Sequence, residues 1–269
     1  RITQKERKDD GIERFITPSV PFAERRIIIM KILGIESSSL VASVAIVTDE
    51  ILTAEYTVNF KKTHSQTLLP MLDQIVQMTD LELSELTAIA ISGGPGSFTG
   101  LRIGSATAKG LGLALHKPLI HVPTVDAMAY NLFGCRHLIC PIMDAKRGQV
   151  YTGLYAYEEQ FAVIKENAAM DLEKLLAELM ERKETVVFLG DGVPVSRERI
   201  QAVLGETALF APPQSNRQRA ASVAVLGAAM YAEGRTETAA EHAPEYLRVS
   251  QAERELALRR QREQVEGHA

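Results

Sequence analysis

Gly93-Gly94-Pro95-Gly96-Ser97-Phe98-Thr99-Gly100 has residue types and spacing suited to holding an anion. Glycines let the backbone turn tightly and come close to a ligand. A helix beginning at Thr99 aims free N–H groups and the positive end of its dipole at the loop, an arrangement that suits phosphate. Gly93, Gly94, Gly96 and Ser97 are the candidate contacts. The loop is not a Walker A sequence, because Leu101-Arg102 follow Gly100 where Lys and Ser/Thr are required. A tight turn with close strand–helix packing needs the same residues, and both readings stand.

Three other places offer chemistry. Glu36-Ser37-Ser38 ends the first clear strand, and a carboxylate with hydroxyls there can hold a magnesium-bound phosphate through water. It reads equally as an ordinary polar turn. Asp144-Ala145-Lys146-Arg147-Gly148 sets an acid beside two bases, as does a charged surface hairpin. Gly190-Asp191-Gly192 is a weak match for a loop on the far side of a cleft. The six histidines are His64, His116, His121, His137, His242 and His268, and no two have H-x-x-x-H spacing, so no metal is expected on one helix face. His64 reads as a helix cap or surface residue. Neither a nucleophile elbow, nor a Cys–His pairing, nor a close carboxylate pair is visible.

The helix behind the Gly loop carries Gly100, Gly104, Ala108 and Gly112 every four residues. Such a row makes a small-residue ridge on one face. Each helical glycine costs about 1 kcal/mol against alanine, so the ridge calls for a close neighbour, internal or a partner. Arg102 lies outside the row and is a candidate contact for an anion or a partner carboxylate.

These residues need a scaffold. β-Branched runs predict strands over Lys31–Glu36, Ala42–Val47 and Ile51–Val58, close enough to form an antiparallel meander. A helix is expected over Ser65–Thr79, a strand covered on both faces over Thr87–Ser92, and a helix over Thr99–Leu115. Pro118–Val122 reads as a strand and Thr124–Phe133 as a helix with Thr124 as N-cap. A second unit follows, with strands Leu138–Met143, Gln149–Tyr157 and Thr185–Leu189. Its helices are Asp171–Arg182, Ser196–Leu204 and Ala220–Glu233. The two units share an outline, which is α/β with duplicated βββαβα units, and a facing pair would suit a nucleotide.

The chain has 269 residues, 46% hydrophobic, with a net charge of −4, so it carries no general basic balance for nucleic acid. Cys135 and Cys140 read as free thiols of a reducing compartment. No run is long enough to span a membrane. Residues 1–29 are read as a leader segment without a fold of its own, with Met30 as the native start. The divisions expected are lobes at 30–136 and 137–248, then a charged tail at 249–269, solvated or frayed.

Taken together, Gly34-Ile35-Glu36-Ser37-Ser38, His64-Ser65-Gln66 before Leu68-Leu69-Pro70, the Gly93–Arg102 stretch and Asp144–Tyr151 resemble the bacterial TsaB family, also called YeaZ. The similarity runs from Met30 to Arg248, ending in Pro244-Glu245-Tyr246-Leu247-Arg248. The resemblance implies a two-lobed actin-like, sugar-kinase-like ATPase fold. It also implies a cytoplasmic role in making N6-threonylcarbamoyladenosine at position 37 of tRNA. TsaB is not the transferase: it pairs with its paralogue TsaD, which carries the metal, and through it with the ATPase TsaE, while TsaC makes the threonylcarbamoyl-adenylate. Contact with tRNA is then indirect.

In the catalytic paralogue a strand leads into a helix bearing H-x-x-x-H. Here Thr124 and Met128 take those positions, and a hydroxyl and a thioether do not replace two imidazoles. The resemblance therefore implies a non-catalytic scaffold or activator with no metal and no required cofactor, ATP or ADP entering only at the partner interface. It puts that interface, or a homodimer's, on the two helices bearing His64, Leu68, Leu72, Gly100, Arg102, Gly104, Ala108 and Gly112. Gly104→Leu is then expected to weaken TsaD binding and leave the monomer folded. The competing readings are a sugar-kinase-type phosphotransferase with Asp144 as base, and a metallopeptidase, which the missing histidine pair argues against.

Overall fold

The computed structural model describes residues 14–16 and 29–247. They fall into two compact units, one holding 29–127 with 218–247, the other 128–217 with 14–16.

The first unit is built on a five-stranded sheet. Its strands are β2 (Lys31–Glu36), β3 (Val41–Thr48), β4 (Ile51–Asn59), β5 (Ala88–Gly94) and β6 (Leu119–Pro123), in the order β4-β3-β2-β5-β6. The expected meander is present: β2 pairs antiparallel with β3, and β3 with β4. β5 then joins β2 in parallel, with Ile32 opposite Ala88 and Ile35 opposite Ile91, and β6 joins β5 in parallel.

Alternation explains why these strands read as continuously apolar. Leu33, Ile35, Ile89 and Ile91 enter a core filled by Leu68, Met71, Leu72 and Ile75 of α1 (Leu68–Thr79) and Ala108 of α2 (Phe98–Leu115). The opposite face presents small residues to α6 (Ala220–Ala232). A Cβ on Gly34 would lie 3.0 Å from Ala224 Cβ and overlap Ala220 O, and one on Gly227 would lie 2.5 Å from Ala90 Cβ. α6 therefore packs backbone-close on β2 and β5. This corrects the expected lobe boundaries of 30–136 and 137–248: residues 218–247 return to the first sheet, because only there do Ala220, Ala224 and Gly227 meet matching small residues.

The second unit repeats the plan. Its strands are β7 (Leu138–Asp144), β8 (Gln149–Tyr157), β9 (Phe161–Asp171), β10 (Val186–Leu189) and β11 (Ala208–Phe210). β9-β8-β7 are antiparallel, and β10 and β11 follow in parallel. Relative to their own first strand, both sheets run 3-2-1-4-5. β1 (Arg14–Ile16) adds to the outer edge of β9, so one piece of the expected leader segment is a strand, and residues 1–13 and 17–28 lie outside the described residues. The charged tail at 249–269 lies outside them too. α4 (Leu172–Arg182) and α5 (Val193–Leu204) bury Leu175, Leu176, Leu179 and Ile200 against Ile142, Leu154 and Phe188. α3 (Thr124–Tyr130) is shorter than expected, and among the described residues no helix is long and apolar enough to cross a membrane.

Candidate functional site

The Gly loop ends β5 and opens α2. Ser97 caps the helix, its hydroxyl accepting from Gly100 N at 3.3 Å. The space that glycine leaves is filled by the chain itself. A Cβ on Gly93 would overlap the His121 imidazole, one on Gly94 the carbonyl of Glu245, and one on Gly96 the carbonyl of Ser38. Backbone bonds fix these approaches: Ser97 N donates to Ser38 O at 2.6 Å, and Glu245 N donates to Gly93 O at 2.7 Å.

The Glu36–Ser38 turn lies directly beneath and is buried. Glu36 Oε1 accepts from Ser38 N at 2.6 Å and Ser38 Oγ at 2.5 Å. Ser37 Oγ donates to Gly100 O at 3.0 Å. Of the seven candidate phosphate contacts, Glu36, Ser37, Ser38, Gly93 and Gly94 are buried in these internal bonds. Gly96 is half-buried, and Ser97 alone is exposed. The observed loop matches the packing reading.

The small-residue ridge also turns inward. Gly100 faces Ser37 O, Gly104 faces Ser37 Oγ and Ile91 Cδ1, and Gly112 faces Leu119 Cδ2 at 2.9 Å, while Ala108 is fully buried. Leu68 and Leu72 lie in the core with them. His64 is buried rather than on the surface, and its Nε2–H donates to Val41 O at 3.1 Å; burial lowers its pKa. Seven of the eight residues assigned to a partner interface are thus committed to this chain's own core, because α2 needs small side chains to sit on the β2–β3 turn. Arg102 is the exception and is exposed. Its Nε donates to Tyr246 OH at 3.2 Å, and its guanidinium lies 4.0 Å from the Phe98 ring centre.

The outward face of the same helix pair carries a different row. Arg102, Ala106, Gly110 and Ala114 recur every four residues along α2 and are exposed, with Leu113 beside them. A Cβ on Gly110 would meet nothing within 4 Å. α1 lies alongside and exposes Leu69 and Met78. The sequence did contain this signal, a second i, i+4 row two residues out of phase with the glycines.

Thr124 and Met128 are both buried on α3. Thr124 is not a helix cap: its hydroxyl accepts from Gly94 N at 3.2 Å. The hairpin after β7 holds Asp144 inside its own turn. Asp144 accepts from Lys146 N at 2.8 Å and Lys146 Nζ at 2.6 Å, which raises the Lys146 pKa. Asp191 is near enough to add to that rise. Burial pushes the Cys140 thiol up to about 12, which removes it from nucleophilic chemistry at neutral pH.

One cluster was not visible in the sequence. His121 on β6, Glu237 and His242 offer ligand atoms that all lie within 4.8 Å of one another. His242 Nδ1 is 2.5 Å from Glu237 Oε1, and His121 Nε2 is 3.9 Å from Glu245 Oε2. Burial lowers the His121 pKa, opposed by the charges of Glu237 and Glu245. Pattern reading looks for histidines one helical turn apart, whereas this pair meets only because 237–246 folds back along β6 and α2.

The family described as "TsaD: tRNA N6-adenosine threonylcarbamoyltransferase" matches residues 54–256. The "tRNA threonylcarbamoyladenosine biosynthesis protein TsaB" of Bacillus subtilis is 34% identical over 230 residues, 83% of this chain and 96% of that protein. The protein of that name in Escherichia coli is 31% identical over 239 residues, 84% of this chain and 98% of that protein. A crystal structure from Pseudomonas aeruginosa, described as having similarity to peptidase YEAZ, superposes with a TM-score of 0.69 at 25% identity, over 81% of this chain and all of that one. The paired 3-2-1-4-5 sheets are those of the actin-like, sugar-kinase-like ATPase fold. With its fold, its Gly93–Arg102 loop and these similarities in agreement, the chain belongs to the TsaB family.

Proposed function

We propose that the chain is a non-catalytic scaffold and activator subunit in the biosynthesis of N6-threonylcarbamoyladenosine on tRNA. In this reading it works in the cytoplasm and binds a TsaD-type transferase directly, with TsaE joining that complex. It reaches tRNA only through its partner. Nucleotide is held at the junction with the partner and is not required by the chain itself. The pair Thr124 and Met128 carries the non-catalytic part: these positions lack imidazoles, and the Thr124 hydroxyl is already bonded to Gly94 N. The catalytic metal and acyl transfer therefore fall to the partner.

The docking face in this reading is the outward side of α1 and α2. Small residues let a partner helix approach closely, and Ala106, Gly110 and Ala114 form such an exposed row, with open space over Gly110 and Arg102 at its N-terminal end. Without the partner, a homodimer uses the same face.

The test is co-purification with TsaD and TsaE, followed by a tRNA modification assay with and without this chain. Modification that depends on the chain, and is lost with Gly110→Leu, is the expected result. Modification at full rate without the chain overturns the reading. ATP turnover by the isolated chain in the presence of a sugar would favour the phosphotransferase instead.

A further inference from the structure

We propose that His121, Glu237 and His242 form a binding site for one divalent transition-metal ion, zinc by donor chemistry, which clips the 237–246 segment to β6. The three residues are distinct from Thr124 and Met128, and the proposal assigns them no catalytic step.

The backbone places all three residues without needing the ion. Leu119 and Glu237 exchange both backbone hydrogen bonds at 2.9 Å, so the Glu237 carboxylate is held two positions along β6 from His121. Gly93 leaves the space in which the His121 ring sits. His242 is fixed at its N–H by Thr238 O at 3.1 Å and at its carbonyl by Lys109 Nζ at 2.9 Å.

The His242 side chain supplies a second, independent observation. It is wholly buried, yet its Nε2 has no hydrogen-bond partner among the described residues. A buried polar atom left so is rare. Its other nitrogen bonds Glu237 Oε1, so taking an ion at Nε2 requires Glu237 to leave Nδ1 and turn toward the ion.

The donor set decides the class of ion. Calcium and magnesium take all-oxygen shells. Two imidazoles and a carboxylate suit zinc and its neighbours, with the fourth tetrahedral position left to water or to another oxygen. Glu245, with Oε2 3.9 Å from His121 Nε2, stands within reach of it. Ligand atoms around tetrahedral zinc lie about 3.3 Å apart, given bonds of about 2.0–2.1 Å. Ligation therefore needs the side chains, now within 4.8 Å of one another, to close on the ion as Glu237 parts from His242 Nδ1.

The experiment uses the full chain stripped with EDTA, dialysed and titrated with zinc chloride by calorimetry, with bound metal counted by elemental analysis. One zinc per chain and a rise in the urea midpoint are expected. His121→Asn and His242→Gln should each weaken binding by at least about 100-fold, since losing outer-shell partners alone can reach that. No binding at zinc in large excess over the protein overturns the proposal. So does binding retained in either variant when circular dichroism shows it folded. Cobalt in place of zinc reads the wild-type chain directly, whatever the variants do: a nitrogen–oxygen spectrum supports the site, and thiolate charge-transfer bands assign the metal elsewhere.

Discussion

Gly104 shows how a single side-chain position separates a core from an interface. A Cβ there would press on Ser37 Oγ and lie 3.1 Å from Ile91 Cδ1, inside a turn already tied by the Ser37 hydroxyl to Gly100 O. Gly104→Leu should therefore lower stability by about 3 kcal/mol or prevent folding, as overpacking a tight site does. Urea unfolding checks it, and a midpoint near wild type would refute the inward packing. Gly110→Leu, over open space, should instead raise stability by up to about 1 kcal/mol through helix propensity. His64 makes a prediction about pH. Burial holds its pKa below the ordinary 6.5, so the unfolded chain takes up the proton first. Its contribution is complete above pH 6.5 and is lost as pH falls from there through the lowered value. Acidification into that window should lower the urea midpoint, and His64→Gln should make the loss smaller. His121 shifts in the same direction, so some dependence remains in the variant.

Among the elements, α6 depends on its N-terminal anchorage. Ala220 N donates to Ser43 Oγ at 3.1 Å, and Ala221 N donates to Glu55 Oε1 at 3.0 Å, while Arg219 Nε donates to Glu55 Oε2 at 3.1 Å. β3 and β4 thus supply the cap that α6 lacks within its own sequence. Glu55→Ala should cost about 2 kcal/mol, since it strands a helix donor and a half-buried guanidinium. Glu55→Gln should recover part of this by keeping the acceptor, and equal urea midpoints for all three proteins would sink the account.

Elements also show what was legible in the sequence. The β2–β3–β4 meander and the helices α1, α2 and α4 were readable because β-branched runs and apolar periodicity are local signals. β9 was missed: Lys165, Glu166 and Asn167 interrupt its apolar pattern, and β11 is only three residues long. The destination of α6 was hidden for another reason. Small residues announce close packing without naming the partner, as the ridge on α2 also shows. The residue types at the candidate site were legible, and what fills the space around them was not.

For the whole molecule, the two units differ in how the chain builds them. Residues 128–217 supply β7–β11 and their core as one continuous segment, whereas the first sheet is covered by α6 from 218–247. A fragment of residues 30–136 would leave Gly34, Ala45 and Ala90 uncovered by α6. It should aggregate or resist purification, and adding a peptide of residues 218–247 in trans should restore protease resistance. A soluble, protease-resistant 30–136 fragment would show that α6 is dispensable.

The return of α6 to β2 also bears on synthesis. On the ribosome, β2 is made well before α6, the helix that covers it. Throughout that interval the Gly34 face of the nascent sheet is open, while the later unit already has every residue it needs. The order of completion therefore runs against the order of translation. Premature truncation just before α6 should leave the first sheet open to proteolysis while the later unit persists.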